Sequence, residues 1–232
     1  MTGVQTCALP IFGHPFDILL GWGNDDGLSG CGYQGGTLTR PDEFAPIRPT
    51  SEWGHTVADI ERTAASVADR VGVTVGAVRL ASVIGPHVPS PLGRLLRLPA
   101  VPFNALADPS FAVIRQKDAA RAIVVAARKQ LAEPVNVVAS GSITAMQAAR
   151  RGRRLAVPTI GLQWPIARRL SHLAGAPVPD HIAELLLHGR LADNGRMREL
   201  LGLVPEQTTA EVIDDLYGWP SVIRQPARKQ VA

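Results

Sequence analysis

Several residues in this sequence have types and spacings that could do chemistry. Gly30-Cys-Gly-Tyr-Gln-Gly35 spells GxGxxG, the spacing at which glycine backbones approach a dinucleotide pyrophosphate. That cradle needs a strand leading in and a helix beginning inside it. Here the turn sequence Asn24-Asp-Asp-Gly-Leu-Ser29 precedes it, and Pro41, Pro46 and Pro49 come after it and forbid the helix. The run therefore reads as a Gly-rich loop. His55 could serve as a base near neutral pH, with a surface or partly packed histidine as the plainer alternative. His87 follows Gly85-Pro86 where an apolar run ends, the edge at which open α/β sheets bind ligands; a loop histidine is the other reading. Arg115 has the planar fork that suits a substrate phosphate, and a surface ion pair with Asp118 is its simpler use. Cys7 and Cys31 have neither metal-ligand spacing nor CxxC, which points away from a metal site and a disulfide framework and toward a reducing cytoplasm.

The elements that must position these residues emerge from apolar periodicity. Phe16–Leu20 is a candidate short strand. Thr50 or Ser51 can cap a helix over Thr56–Val71, in which Val57, Ile60, Ala64, Val67, Ala68 and Val71 share helical spacing. Gly72 ends it, and Val73–Ala81 is apolar enough to be a buried parallel strand. Residues 87–110 read as Pro-rich chain around a short helix, Leu92–Leu98. Beyond them come a strand at Phe111–Ile114, a helix Ala119–Leu131 opened by Asp118, and a strand at Val135–Val138. Further helices are expected at Thr144–Arg151, 164–175, 180–189, Arg196–Leu201 and Thr209–Tyr217. Helix feeding strand across a single glycine is βαβ architecture, so the class is α/β with a parallel sheet.

Composition excludes other classes. Hydrophobic residues make up 46% and charged residues 19%, which fits a globular core rather than disorder. The net charge is +4, carried mostly by arginine, with lysine only at Lys117, Lys129 and Lys229. The densest cluster, Arg150, Arg151, Arg153 and Arg154, ends a helix where cations are favourable. No aromatic residues are interleaved there for base stacking, so it reads as a solvated helix end and no nucleic-acid partner is expected. No apolar run reaches the roughly 18 residues of a membrane span, and the start lacks a signal-peptide pattern. Thr2-Gly-Val-Gln-Thr-Cys-Ala-Leu-Pro-Ile11 resembles the in-frame translation of a sequencing adapter; set aside, it leaves the expectation of a truncated N-terminus.

Four phrases, in order, resemble the second half of the NAD-dependent epimerase/dehydratase family of extended short-chain dehydrogenases/reductases. Arg79-Leu-Ala-Ser-Val-Ile-Gly-Pro86 is similar to that family's R-P-x-x-V-Y-G-P. Ile114-Arg-Gln-Lys-Asp-Ala-Ala-Arg-Ala122 stands where the family has H-V-x-D-V-A-x-A, with Arg115 in place of His. Val135-Asn-Val-Val138 resembles its Y-N-V strand, and Asp193-Asn-Gly-Arg-Met-Arg-Glu-Leu-Leu-Gly-Leu-Val-Pro205 its closing phrase. The resemblance covers about residues 37–219. It implies the C-terminal part of a Rossmann-like doubly wound sheet with a small helical substrate-side subdomain. The corresponding division is an artefactual or disordered segment 1–36, a partial Rossmann-like domain 37–139, a helical substrate-side region 140–220 and a tail 221–232.

For chemistry the resemblance implies hydride transfer with NAD or NADP on a small-molecule substrate such as a nucleotide sugar. The backbone of Ala81, Ser82 and Val83 would lie against the nicotinamide, and His87 and Arg115 on the substrate side. The family's acid/base Tyr and its Lys partner, four residues apart on one helix face, fall on Trp53 and Val57. Indole does not ionise usefully and Val carries no charge. No catalytic residue is therefore assigned, and the chain as it stands is expected to be inactive. The alternative is a non-catalytic NAD(P)-binding or regulatory protein on the same fold. The family's helix pairing would also allow a homodimer with Ala64 and Ala68 at its face.

Overall fold

The computed structural model describes residues 16–21, 40–47, 49, 52–160, 163–176 and 178–219. The Gly30–Gly35 hexapeptide, Tyr33, both cysteines and the 221–232 tail lie outside them.

A strand β1 (Phe16–Gly21) precedes helix α1 (Glu52–Val71) and strand β2 (Thr74–Leu80). α1 packs on β1 and β2 through small residues, with Gly54, Ala58 and Ala68 buried. Small side chains let the helix sit close to the sheet, and Val67 and Val71 are left in solvent rather than on the buried stripe. Ala68, expected at a dimer face, is thus enclosed within the chain itself. β2 is nearly continuous in its burial, as a central parallel strand must be. It pairs with β1 on one side and with β7 (Val135–Val137) on the other, both parallel.

The extended run does not stop at Leu80. Ala81 donates its N–H to the Val137 carbonyl at 3.0 Å, and the chain continues directly into β3 (Ser82–Ile84). β3 then takes a new parallel partner, β6 (Val113–Arg115), so Ala81 is the point where one extended segment changes neighbours. Helix α2 (Pro91–Leu96) comes next, its N-cap Ser90 accepting from Gly93 N–H. Strand β4 (Ala100–Asn104) and the two-residue β5 (Ser110–Phe111) lead into β6 and helix α3 (Gln116–Arg128). After β7 comes β8 (Ile143–Thr144), antiparallel to β5. Thr144 also caps helix α4 (Ala145–Arg151) in a reciprocal box with Gln147. β9 (Leu155–Thr159) then pairs parallel with β4.

β4 departs from the expectation of Pro-rich chain over 87–110, and both Pro102 and Pro158 stand inside its pairing with β9. Proline cannot donate to a ladder, yet in a two-stranded ribbon each strand has a free edge toward which the missing donor can face. Helices α5 (Gln163–Leu173) and α6 (Asp180–His188), a π-turn at Met197–Leu201 and helix α7 (Thr209–Gly218) complete the chain. One apolar cluster joins β2, β7, α3 and the π-turn. A second joins α2, β4, α4, α6 and α7. Tyr217 belongs to the second: its hydroxyl donates to the Ala148 carbonyl at 2.9 Å.

Within β2 one side chain breaks the apolar pattern. Arg79 is buried, donates to both carboxylate oxygens of Glu61 on α1, and donates to the Glu43 carbonyl at 3.0 Å. Removing one partner of such a pair strands the other charge, whereas removing both does not. Arg79→Met should therefore cost about 3–5 kcal/mol in urea unfolding, and Arg79→Met with Glu61→Leu clearly less. Additive costs in the double variant would contradict this account.

Candidate functional site

In parallel sheets the ligand edge lies beyond the carboxyl ends of the strands. Here β3 and β6 run side by side, with Ser82 opposite Val113, Val83 opposite Ile114 and Ile84 opposite Arg115. The register therefore sets Arg115 beside Ile84 at the carboxyl ends of the two strands, while Ala81 and Ser82 stand where β3 begins. Ala81 and Ser82 are buried and Val83 is half-buried. His87 is exposed, in the turn just past Gly85-Pro86. A Cβ on Gly85 would collide with the Gln116 side chain, so β3 and the start of α3 approach closely below that turn.

Arg115 occupies the N-cap position of α3 without capping it. Its guanidinium reaches Asp215 on α7 at 3.6 Å, not Asp118, the pairing expected from the sequence. Asp215 in turn accepts from the Gln207 amide at 2.9 Å. Asp118 is buried and serves the structure instead, accepting from the Glu206 N–H at 3.1 Å and from Arg121 at 3.4 Å. Glu206 takes Lys117 at 3.1 Å and Arg121 at 2.7 Å. The Lys117 hydrogen bond, with smaller help from the charges of Lys117, Arg121 and Arg115, holds the Glu206 carboxyl below its ordinary value. In this cationic rim Lys117 and Arg121 are committed to Glu206, while Arg115 keeps a long, partly exposed contact.

The candidates for proton transfer separate. Trp53 and Val57 both fall in the opening turns of α1, and His55 between them is exposed. Tyr217 is the one tyrosine among the described residues. Burial pushes its hydroxyl up to about 12, the nearby Arg154 opposing and Asp214 adding to the shift. A phenol held that far above neutrality packs and donates; it does not exchange protons at neutral pH. Among the described residues no group of three His, Cys, Asp or Glu side chains could hold a metal ion.

The comparisons place this geometry. The chain matches a dTDP-glucose 4,6-dehydratase from Bacillus anthracis, in complex with NAD, with a TM-score of 0.59 at 14% identity, covering 87% of this chain and 60% of that one. A UDP-glucose 4-epimerase from Thermotoga maritima, with UDP-glucose, gives 0.61 at 17% identity over 87% of this chain and 62% of that one. The fold is that of the nucleotide-sugar epimerases and dehydratases. Within that fold the chain corresponds to the C-terminal part, and its parallel strand pairs are Rossmann-like. In sequence it is 34% identical over 151 residues to an uncharacterised protein of Mycobacterium tuberculosis and to one of Mycobacterium bovis. That match takes in 64% of this chain and 40% of the relatives' length. No protein-family model matches the chain.

One functional-looking carboxylate gives no signal in the sequence. Glu43, in the Pro-punctuated segment before α1, is buried, and its Oε1 accepts from the Asn136 N–H of β7 at 2.7 Å. Burial raises its carboxyl above the ordinary 4.5, opposed by that hydrogen bond, by its own backbone N–H and by Arg196, and assisted by Asp193. A raised folded-state value means the neutral acid is favoured in the native state. Its contribution to stability is complete below about pH 4.5 and is lost as pH rises through the folded value. Glu43→Gln keeps an acceptor for Asn136 and removes the titration. The variant should gain stability relative to the parent as pH goes from 4.5 toward neutrality. A stability difference that does not vary with pH in urea melts would contradict it.

Proposed function

We propose that this chain is the substrate-side part of an NAD(P)-dependent, epimerase/dehydratase-like oxidoreductase whose substrate is a nucleotide sugar, and that it lacks the usual acid/base pair. The observation that carries this reading is the likeness in fold, over 87% of the chain, to enzymes that hold NAD or UDP-sugars. In support, the Ala81–Val83 segment, which the sequence resemblance would set against the nicotinamide, runs into β3, whose last residue Ile84 stands beside Arg115.

The described residues fit a nicotinamide in one respect and fail it in another. Of the Ala81–Val83 segment the half-buried Val83 is the residue open to a ring, Ala81 and Ser82 being covered within the chain. Val57 offers no cation to a ribose, and no ionisable hydroxyl accompanies it. When bound, NAD(P) would supply the hydride; the chain's own residues would bind and orient. Arg115 would hold a diphosphate oxygen pair, exchanging its 3.6 Å contact with Asp215 for a bidentate one. His87 would lie at the rim of the same edge.

A second reading, a non-catalytic binding or regulatory protein on this fold, is favoured by Trp53 and Val57 at the positions where the resemblance puts Tyr and Lys. Binding of UDP-glucose through Arg115 separates the two. Titration calorimetry of the full chain with UDP-glucose should give binding that Arg115→Ala weakens about tenfold or more, the worth of one hydrogen bond to a charged group. Under the same conditions with NAD, chromatography of the nucleotide sugar should show no conversion. Absence of UDP-glucose binding, or indifference to Arg115→Ala, would overturn the substrate-side assignment. Conversion of UDP-glucose would overturn the absence of an acid/base pair.

A further inference from the structure

Helix α5 turns an apolar stripe outward. Ile166, Leu170 and Leu173 recur at helical spacing and are 61%, 61% and 82% exposed. Trp164 and Ser171, on the opposite side, are buried, and Trp164 joins the cluster formed with α2, α4 and α6. The helix is therefore anchored by its inner face while a row of aliphatic side chains meets water. Exposed apolar patches of this kind on a globular surface mark interaction sites.

The segment that carries the stripe is of one sign in charge. Residues 134–179 contain no Asp or Glu, yet carry Arg150, Arg151, Arg153, Arg154, Arg168 and Arg169. Arg169 is exposed on α5, and His172 is exposed one turn from Arg169. Arg150, Arg151 and Arg153 are exposed at the end of α4, where β9 begins with the exposed Leu155. α5 packs on β9, the strand that follows the arginine-rich end of α4 directly. Acids from outside the segment reach its edges: Asp214 of α7 bonds Arg151 at 2.5 Å, Asp108 accepts from the Met146 N–H of α4 at 3.3 Å, and Asp180 is exposed at the start of α6.

We infer that α5 and the arginine-rich end of α4 form a docking surface for an anionic lipid bilayer, with α5 lying in the plane of the interface. Such helices bury aliphatic side chains at the headgroup–acyl boundary while flanking arginines meet lipid phosphates. The chemistry separates this occupant from others. Single-stranded nucleic acid is held by exposed aromatic rings, and the aromatic side chain of this helix, Trp164, is turned inward. A second copy of the chain would bring two faces of the same charge together. This is attachment at a surface and involves no spanning helix; among the described residues no helix is long and apolar enough to cross a membrane.

The test is flotation of the full chain with vesicles of phosphatidylcholine containing phosphatidylglycerol, against vesicles of phosphatidylcholine alone. Binding to the first should be at least about tenfold stronger and should fall in high salt, since each surface arginine near anionic lipid contributes measurably and is screened. Leu170→Glu with Leu173→Glu should abolish it, and Arg150→Glu with Arg153→Glu should weaken it about tenfold or more. All four positions are exposed, so circular dichroism of the variants should match the parent. No flotation, equal flotation on both vesicles, or flotation that survives Leu170→Glu with Leu173→Glu would overturn the inference. Self-association in the absence of lipid that these two leucine substitutions remove would overturn it in favour of a second copy.

Discussion

A guanidinium placed inside a parallel strand must find acceptors for its donors or forfeit their hydration without return. Arg79 finds them on two other segments, the Glu61 carboxylate of α1 and the Glu43 carbonyl of the stretch before α1. That stretch is bound again on its far side. Glu43 bonds the Asn136 amide of β7, Pro41 accepts from Asp193 N–H at 2.9 Å, and the Arg196 guanidinium lies 4.7 Å from the Phe44 ring centroid. A short segment with no helix or strand of its own thus ties α1, the central sheet and the π-turn region together. The cost of burying the Glu43 carboxyl comes from this arrangement. A segment carrying its own acid across the sheet must desolvate it, and Asn136, Arg196 and its own backbone offset only part of that cost.

With the sheet fixed on one side of Ala81, the chain can change partners there. β2 is committed to β1 and β7, and β3 to β6, so the polypeptide passes between two hydrogen-bonded layers without a loop. That is an economical way to bring a strand end to a ligand edge. The link itself is buried and close-fitting, whereas Pro86 and His87 beyond it turn out toward solvent. The neighbouring strand ends at Arg115, which is held loosely from α7 by an Asp215 that Gln207 orients. The firmly bonded cations, Lys117 and Arg121, are committed to Glu206. An arginine with a weak partner and partial exposure is the one free to change partners.

Much of this is legible in the sequence, and the failures have physical reasons. The apolar run ending at Leu80, the Thr144 cap and the helix opening at Thr209 can be read near their true bounds because caps and periodicity are local signals. The β4–β9 pair is hidden by Pro102 and Pro158, whose usual meaning is loop. Val67 and Val71 share the spacing of a buried face, but the small side chains of α1 define that face, and close packing of Gly54 and Ala58 rotates the valines out. The Arg115 partner expected three residues away lies instead on α7, a hundred residues on; nothing local announces Asp215. Glu43 carries no signal at all, whereas Arg79 does: a lone arginine in an apolar strand requires a carboxylate somewhere nearby.

The groups missing from the described residues are as consequential as those present. Acid/base work at neutral pH needs a group that titrates near neutrality and meets the substrate, or a phenol brought down by an adjacent cation. Tyr217 is driven the other way by burial, although Arg154 stands 6.0 Å from its ring centroid; desolvation outweighs that cation. His55 is exposed and His87 sits at the rim, both positioned for contact with a ligand or solvent rather than in a desolvated pair. Arg115, by contrast, stands where β3 and β6 end. At that edge the described residues set one loosely paired cation, Arg115, beside the firmly paired Lys117 and Arg121. That placement is set by the fold's strand register, which fixes Arg115 opposite Ile84 whatever residues stand at positions 53 and 57.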